Sequence, residues 1–161
     1  EMCIRDSLLT LLGMRTSIYN IETRIGINGT PYIMEVSPRG GGNRLAEMLR
    51  FATGVDLIIN AVRAAVGDDV DDIRQKPYSG YWAEVILHSD TDGYFKNLVI
   101  DDEFYRSHVV QKDLWVKEND RVSVFKGAND AIGTLVLKFE SEKQLVEALR
   151  EQNCWMKINV E

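Results

Sequence analysis

One dipeptide constrains this chain more than any other feature. Asn28-Gly29 stands between two runs in which apolar and polar residues alternate. In that setting Asn-Gly is the strongest short signal for a β-hairpin, because both residues tolerate the positive φ of a tight turn. Ahead of it, Tyr19, Ile21, Thr23, Ile25 and Ile27 form an apolar or β-branched row interleaved with Asn20, Glu22, Arg24 and Gly26. A period of two places one row on a core and the other toward solvent, over a strand expected at 16–27. The return strand, 31–36, is expected to bury Tyr32, Met34 and Val36 and to turn Ile33, Glu35 and Ser37 the other way.

A two-residue turn at Asn28-Gly29 fixes a register in which paired positions sum to 57. It sets Ile27 opposite Thr30, Arg24 opposite Ile33, Glu22 opposite Glu35 and Asn20 opposite Ser37. Two carboxylates then face each other at roughly 4.5–5.5 Å between Cβ atoms, a placement that destabilises a sheet unless something cationic lies between them. Magnesium fits that need. It is small, takes oxygen ligands in an octahedron, and is commonly held by one or two carboxylates together with nucleotide phosphates. Asn20 and Ser37 add an amide and a hydroxyl to the same face. Beyond the strand, Arg39 is followed by Gly40-Gly41-Gly42, whose backbone N–H groups are free to approach an anion. A metal, an arginine and an N–H-lined loop suit phosphoryl-transfer or acyl-phosphate chemistry, in which charge stabilisation carries most of the catalysis. The plainer alternative pairs Glu22 and Glu35 with Arg24, Arg39 or Arg44 in ordinary salt bridges.

Further along, the spacing of Leu45, Met48, Leu49 and Ala52 predicts a helix capped by Asn43 and stopped by Gly54, with Asn43 as a substrate contact the alternative reading. A second helix is expected over 55–66, ended by Gly67. The acidic run 68–72 reads as a solvated loop or a helix start. From about Tyr78 the pattern becomes that of strands: 81–88 and 94–100 about an Asp90-Thr91-Asp92-Gly93 turn, 109–116 and 121–125 about 117–120, then 134–139. Ser141 with Gln144 forms a capping box opening a helix to about Gln152, and 155–160 closes the chain as a strand. The expected class is therefore α+β, a hairpin with helices followed by a β-rich part. His88 and His108 have no partner pattern, and Cys154 reads as a packed thiol.

Composition sets outer bounds. The chain has 161 residues, 45% hydrophobic and 27% charged, the balance of a globular protein. Its net charge of −6 gives no electrostatic footprint for nucleic acid. Its apolar runs fall far short of the roughly 20 residues a membrane span needs. Two cysteines neither staple a fold nor make a metal-type spacing, so the expected compartment is a reducing cytoplasm. The first seven residues, Glu1-Met2-Cys3-Ile4-Arg5-Asp6-Ser7, resemble the translation of a transposase sequencing adapter, in which ATG-TGT-ATA-AGA-GAC reads Met-Cys-Ile-Arg-Asp. We set them aside from fold reasoning, which moves the charge to −5 by removing Glu1, Arg5 and Asp6. The expectation is that a gene fragment begins here and that an upstream portion precedes it. Residues 8–14 then read as the end of a helix.

Asn20-Ile21-Glu22, followed thirteen residues after Glu22 by Glu35-Val36-Ser37-Pro38-Arg39-Gly40-Gly41-Gly42-Asn43, resembles the end of an ATP-grasp domain. That family carries a glutamate on one strand and Glu-x-Asn-x-Arg on the next. Ala52-Thr53-Gly54-Val55-Asp56-Leu57 resembles its continuation, and the likeness spans roughly 8–67. The resemblance implies that Glu22 and Glu35 bind magnesium, or manganese in its place, bridging ATP phosphates. By the same likeness Arg39 contacts the phosphate or acyl-phosphate intermediate, and Gly42 lies where amino-acid ligases of the family hold the reacting carboxylate. Ser37 departs from the usual Asn; formate-using glycinamide ribonucleotide transformylases carry a similar Glu-Val-Ser-Pro-Arg run, so Ser37 is retained as a metal ligand, with one ion held through water.

By this resemblance, 8–76 is the C-terminal part of an ATP-grasp domain and 77–161 an appended β-rich subdomain. The implied activity joins a small-molecule carboxylate to an amine through an acyl phosphate. The adenine-clamping lysine and loop of the family precede this segment, so the fragment alone is expected to be inactive. Two alternatives stand beside it: a biotin-carboxylase-like subunit using bicarbonate, and a non-catalytic relic serving as a binding domain. The Pro-Arg-Gly-Gly-Gly run favours amine ligases, and intact Glu22, Glu35 and Arg39 argue against decay. Trp155-Met156-Lys157 lacks the tight two-strand setting of a biotinylated hairpin.

Overall fold

The computed structural model describes residues 2–14, 17–74 and 77–161, with side chains from Asp6 onward. Thr16, the first residue of the expected first strand, and residue 76, the last of the expected first domain, lie outside the described residues. The chain divides into two compact units, Glu1–Gln75 and Lys76–Glu161.

In the first unit, α1 (Met2–Leu11) runs unbroken from the adapter-like segment into the apolar stub. Strands β1 (Asn20–Ile25) and β2 (Pro31–Ser37) form a two-stranded antiparallel hairpin. The turn differs from the expected two-residue one. Gly26 N–H donates to Thr30 O (2.8 Å) and Gly29 N–H to Gly26 O (2.9 Å), leaving Ile27-Asn28-Gly29 as a three-residue loop. Gly29 takes the left-handed conformation, with φ 77°, the arrangement in which a β-turn is followed by one αL residue. Asn28 Oδ1 accepts from Thr30 N–H at 3.1 Å, which braces the loop.

The longer loop shifts the ladder by one, so Arg24 faces Tyr32 rather than Ile33, and Thr23 faces Ile33. A β-bulge at Met34 then restores the expected register, and Glu22 faces Glu35, Ile21 faces Val36 and Asn20 faces Ser37. Each strand thus gives up one residue from the ladder, Ile27 to the loop and Met34 to the bulge. The bulge also corrects the expected core row. It sets Ile33 and Pro31 on the face of Val36 and moves Tyr32 to the face of the glutamates. Tyr32 and Met34 are consequently 52% and 63% exposed, while Ile33 and Val36 are half-buried. Ile25 and Ile27, at the strand end and in the loop, are exposed too.

After the glycine run, α2 (Leu45–Thr53) is capped at Arg44, not at Asn43. Asn43 instead adopts φ 54°, a left-handed conformation asparagine tolerates better than most residues. Gly54 ends α2 in αL geometry. The next helix, α3 (Leu57–Val66), starts two residues later than expected because Asp56 is its N-cap, accepting from Ile59 N–H at 2.9 Å. Ala52 and Val55 are buried where α2 meets α3. The acidic run is an irregular loop, tied to α3 by the Arg63–Asp71 ion pair at 2.5 Å and by Asp71 N–H donating to Asn60 Oδ1 at 2.7 Å.

The second unit holds two three-stranded antiparallel sheets. Strands β3 (Tyr81–His88), β4 (Gly93–Ile100), β5 (Val109–Leu114), β6 (Arg121–Val122), β7 (Ala131–Phe139) and β8 (Met156–Val160) order as β3-β7-β5 and β6-β4-β8. Central β7 is buried almost throughout. Its Leu135, Leu137 and Phe139 join Val85, Leu87, Phe95, Val122, Ile132 and Trp155 in one core. The sequence pattern missed α4 (Asp102–His108), whose start is signalled by acidic Asp102 and Glu103 and capped by Asp101. It overextended β6, which keeps two residues. It also took Trp155 into the last strand, where a short helix, α6 (Gln152–Trp155), intervenes. Helix α5 (Glu142–Arg150) has its expected cap, Ser141 accepting from Gln144 N–H at 3.3 Å, while Gln144 reaches back to Glu140 N–H at 3.2 Å.

Candidate metal and phosphate site

The face of the hairpin that carries Glu22 and Glu35 is built by the register just described. Both carboxylates are exposed, directly opposite each other. The Ser37 hydroxyl donates a short hydrogen bond to Glu35 Oε1, and Asn20 lies opposite Ser37 on the same face. Among the described residues, Arg44 pairs with Glu47 and Arg39 donates from Nη1 to Gly40 O at 2.9 Å. Neither Glu22 nor Glu35 is in an ion pair among these residues. Among the described residues no group of three or more His, Cys, Asp or Glu side chains is placed to hold a metal. The donors present are two carboxylates, a hydroxyl and an amide. All are oxygens of the kind magnesium takes, and too few to fill its octahedron without water or phosphate.

The glycine run divides in its reasons. A Cβ on Gly41 would approach Leu45 Cδ2 to 2.5 Å, so a side chain there requires Leu45 to move. A Cβ on Gly40 or Gly42 would meet nothing within 4 Å. Gly42 is exposed, and the chain's own packing does not require it.

Arg39 opens onto a cavity of about 270 Å³ between the end of β2, α3 and the loop after α3. Neither Glu22 nor Glu35 lines this cavity. The expected site is thus brought together in two parts, the carboxylate pair with Ser37 on the hairpin face, and Arg39 at the mouth of an apolar cavity. Sequence reasoning did not find that cavity, because Leu57, Ala61 and Ala64 of α3 register only as ordinary helix positions.

Elsewhere, the Asp56 carboxyl is held below its ordinary value, chiefly by the hydrogen bond from Ile59 N–H. The His88 ring lies against Phe125 at a tilt of 33°, with ring centroids 4.6 Å apart. His108 Nδ1 lies 3.1 Å from Lys138 O, which makes Nδ1 the donor. Cys154 is exposed rather than packed, because the short helix ahead of β8 turns it outward while burying Trp155. No helix among the described residues is long and apolar enough to cross a membrane.

No protein-family model matches the chain. A 55-residue stretch is 36% identical to carnosine synthase 1 of Gallus gallus, covering 34% of this chain and 6% of that protein. Solved structures similar to it include phosphoribosylglycinamide synthetase from Anaerococcus prevotii (TM-score 0.75, 20% identity, 95% of this chain and 39% of that one). The L-amino acid ligase from Bacillus licheniformis is also similar (TM-score 0.77, 17% identity, 99% and 41%). So is the biotin carboxylase domain of Hydrogenobacter thermophilus 2-oxoglutarate carboxylase, solved with MgADP and bicarbonate (TM-score 0.66, 15% identity, 94% and 34%). The chain spans 34–41% of the length of these three structures. Taken with its mixed helices and antiparallel sheets, these likenesses show that the chain has the fold of the C-terminal portions of ATP-grasp ligases.

Proposed function

We propose that this chain is part of an ATP-dependent ligase that activates a small-molecule carboxylate as an acyl phosphate and transfers the acyl group to an amine. Residues 8–76 are assigned to the ATP-grasp lobe and 77–161 to an appended subdomain. The observation that carries the reading is the Glu22–Glu35 pair, opposite each other and free of ion pairs among the described residues. Like charges placed so oppose folding, and their retention is accounted for by a cation.

In this reading Glu22 and Glu35 hold magnesium, with Ser37 as a third oxygen donor directly or through water. When bound, the ion supplies charge stabilisation to the phosphoryl oxygens of ATP. Ser37 has a second role visible in its hydrogen bond to Glu35, where it fixes the carboxylate's orientation. Arg39 presents a planar fork suited to two oxygens of a phosphate or acyl phosphate. Gly42, lacking a Cβ where one would meet nothing, lets the reacting carboxylate lie against the backbone. Substrates are small molecules, and the compartment is the cytoplasm.

Manganese, which substitutes for magnesium and broadens nearby NMR signals, tests the site on the 161-residue chain. Amide resonances around Glu22, Glu35 and Ser37 should broaden selectively, with magnesium reversing the effect and Glu22→Gln or Glu35→Gln weakening it. Uniform broadening, unchanged in both variants, would overturn the metal assignment.

A second reading, in which bicarbonate is the carboxylate, is favoured by the similarity to the biotin carboxylase domain solved with bicarbonate. ATP turnover by the enzyme that carries this chain separates the two, since one reading requires an amine and the other bicarbonate.

A further inference from the structure

The geometry points to the cavity beside Arg39 as the seat of an apolar group on the carboxylate substrate, an inference that rests on the ligase reading above. The cavity's lining is mostly apolar and includes Ile18, Leu57, Ala61, Ala64, Val70 and Ile73, with Ser17 and Asn60 among the polar residues of the wall. Its volume of about 270 Å³ equals that of roughly nine water molecules at ~30 Å³ each in the liquid, room for a short aliphatic chain or a phenyl ring.

Two observations make it a shaped site rather than an incidental groove. Asn60 is only 5% exposed, and both ends of its amide are committed: Nδ2 donates to Asp56 O at 2.8 Å and Oδ1 accepts from Asp71 N–H at 2.7 Å. The second bond, with the Arg63–Asp71 pair, pins the segment carrying Val70 and Ile73 against α3. Asn60 therefore spends a donor and an acceptor on holding the wall together, and because most of the remaining lining is apolar, a polar substituent placed there would regain few of its hydrogen bonds to water.

The second observation is charge. Arg39 is an exposed residue of the lining, and among the described residues its guanidinium bonds only the neighbouring Gly40 carbonyl. A cation at the mouth of an apolar cavity complements an acid whose carboxylate meets the arginine while its hydrocarbon part enters the cavity. The apolar wall favours aliphatic or phenyl-bearing acids over small or hydroxylated ones.

The test titrates the 161-residue chain with acetate, butanoate, hexanoate and 3-phenylpropanoate, following amide shifts in 57–73. Each added methylene should tighten binding two- to fourfold, the effect of burying a CH₂. Ala64→Phe should abolish that dependence on chain length while leaving manganese broadening near Glu22 and Glu35 unchanged. Ala61→Phe, on the more exposed rim, provides the same test if Ala64→Phe does not fold. Equal affinity across the series, or a dependence surviving in the filled variants, overturns the inference. Loss of manganese broadening with the chain-length dependence intact would sink the metal site and leave the cavity standing.

Discussion

Glu22 and Glu35 stand directly opposite each other across β1 and β2, and the Ser37 hydroxyl donates to Glu35. In the absence of metal, Glu35→Gln should leave the melting temperature unchanged or raise it slightly, because it removes like charges directly opposite each other in a sheet. Magnesium should stabilise the parent chain and not the variant. A variant that melts several degrees lower without metal would make Glu35 a structural partner instead of a ligand.

Arg39→Lys should be neutral for folding, since Arg39 is exposed and bonds only its neighbour's carbonyl among the described residues. Its effect should appear in anion binding, where a point-charge ammonium replaces a planar fork. Titration with a nucleotide and magnesium should show affinity reduced severalfold at an unchanged melting temperature.

Gly42→Ala separates packing from ligand approach. A Cβ there meets nothing within 4 Å, so thermal melting should move by less than about 0.5 kcal/mol, the range of ordinary surface substitutions. Gly41→Ala should destabilise more, through the contact with Leu45. Equal melting of the two variants would count against this division.

Asp56 offers a pH-dependent check. Its carboxyl is lowered in the folded chain by the bond from Ile59 N–H, so its contribution is complete above its ordinary value of 3.8. That contribution is lost as pH falls through the lower folded value. Asp56→Ala should therefore melt below the parent at pH 7, and the gap should close as pH is taken below about 3.8. A gap independent of pH would show that the cap acts without its charge.

In the second unit, Leu135 is fully buried in β7. Leu135→Ala should cost about 2–5 kcal/mol by chemical denaturation, with the loss read from fluorescence of Trp155 in the same core.

Much of this was legible because the governing signals are local. The alternation about Asn28-Gly29 gave the hairpin, and Ser141 with Gln144 gave a helix start. The Glu22–Glu35 pairing was reached through a two-residue turn that the chain does not make. Its three-residue loop and the bulge at Met34 offset each other at the glutamates. What fell between them, Tyr32 opposite Arg24 and the exposure of Met34, was not legible, because a bulge is chosen by the packing of the whole ladder and leaves no mark in a period-two pattern. Asp101 as a cap and the short helix that turns Cys154 outward were hidden for a different reason. They span one or two turns, too few for periodicity to register. The cavity beside Arg39 depends on Asn60 holding a segment eleven residues away, a relation that no window along the chain contains.

The bulge bears on where this hairpin can change length. In a regular strand, losing one residue turns every later side chain to the opposite side of the sheet. Met34 is the exception within β2, for without it Thr23 with Ile33 and Glu22 with Glu35 become successive pairs and every neighbour keeps its side. Ile27, spent in the loop, is the matching exception ahead of the turn. A scan of single-residue deletions through the hairpin should therefore find these two positions tolerant, whereas loss of Thr23 or Arg24 from β1, which has no residue to spare, should carry Glu22 to the wrong face.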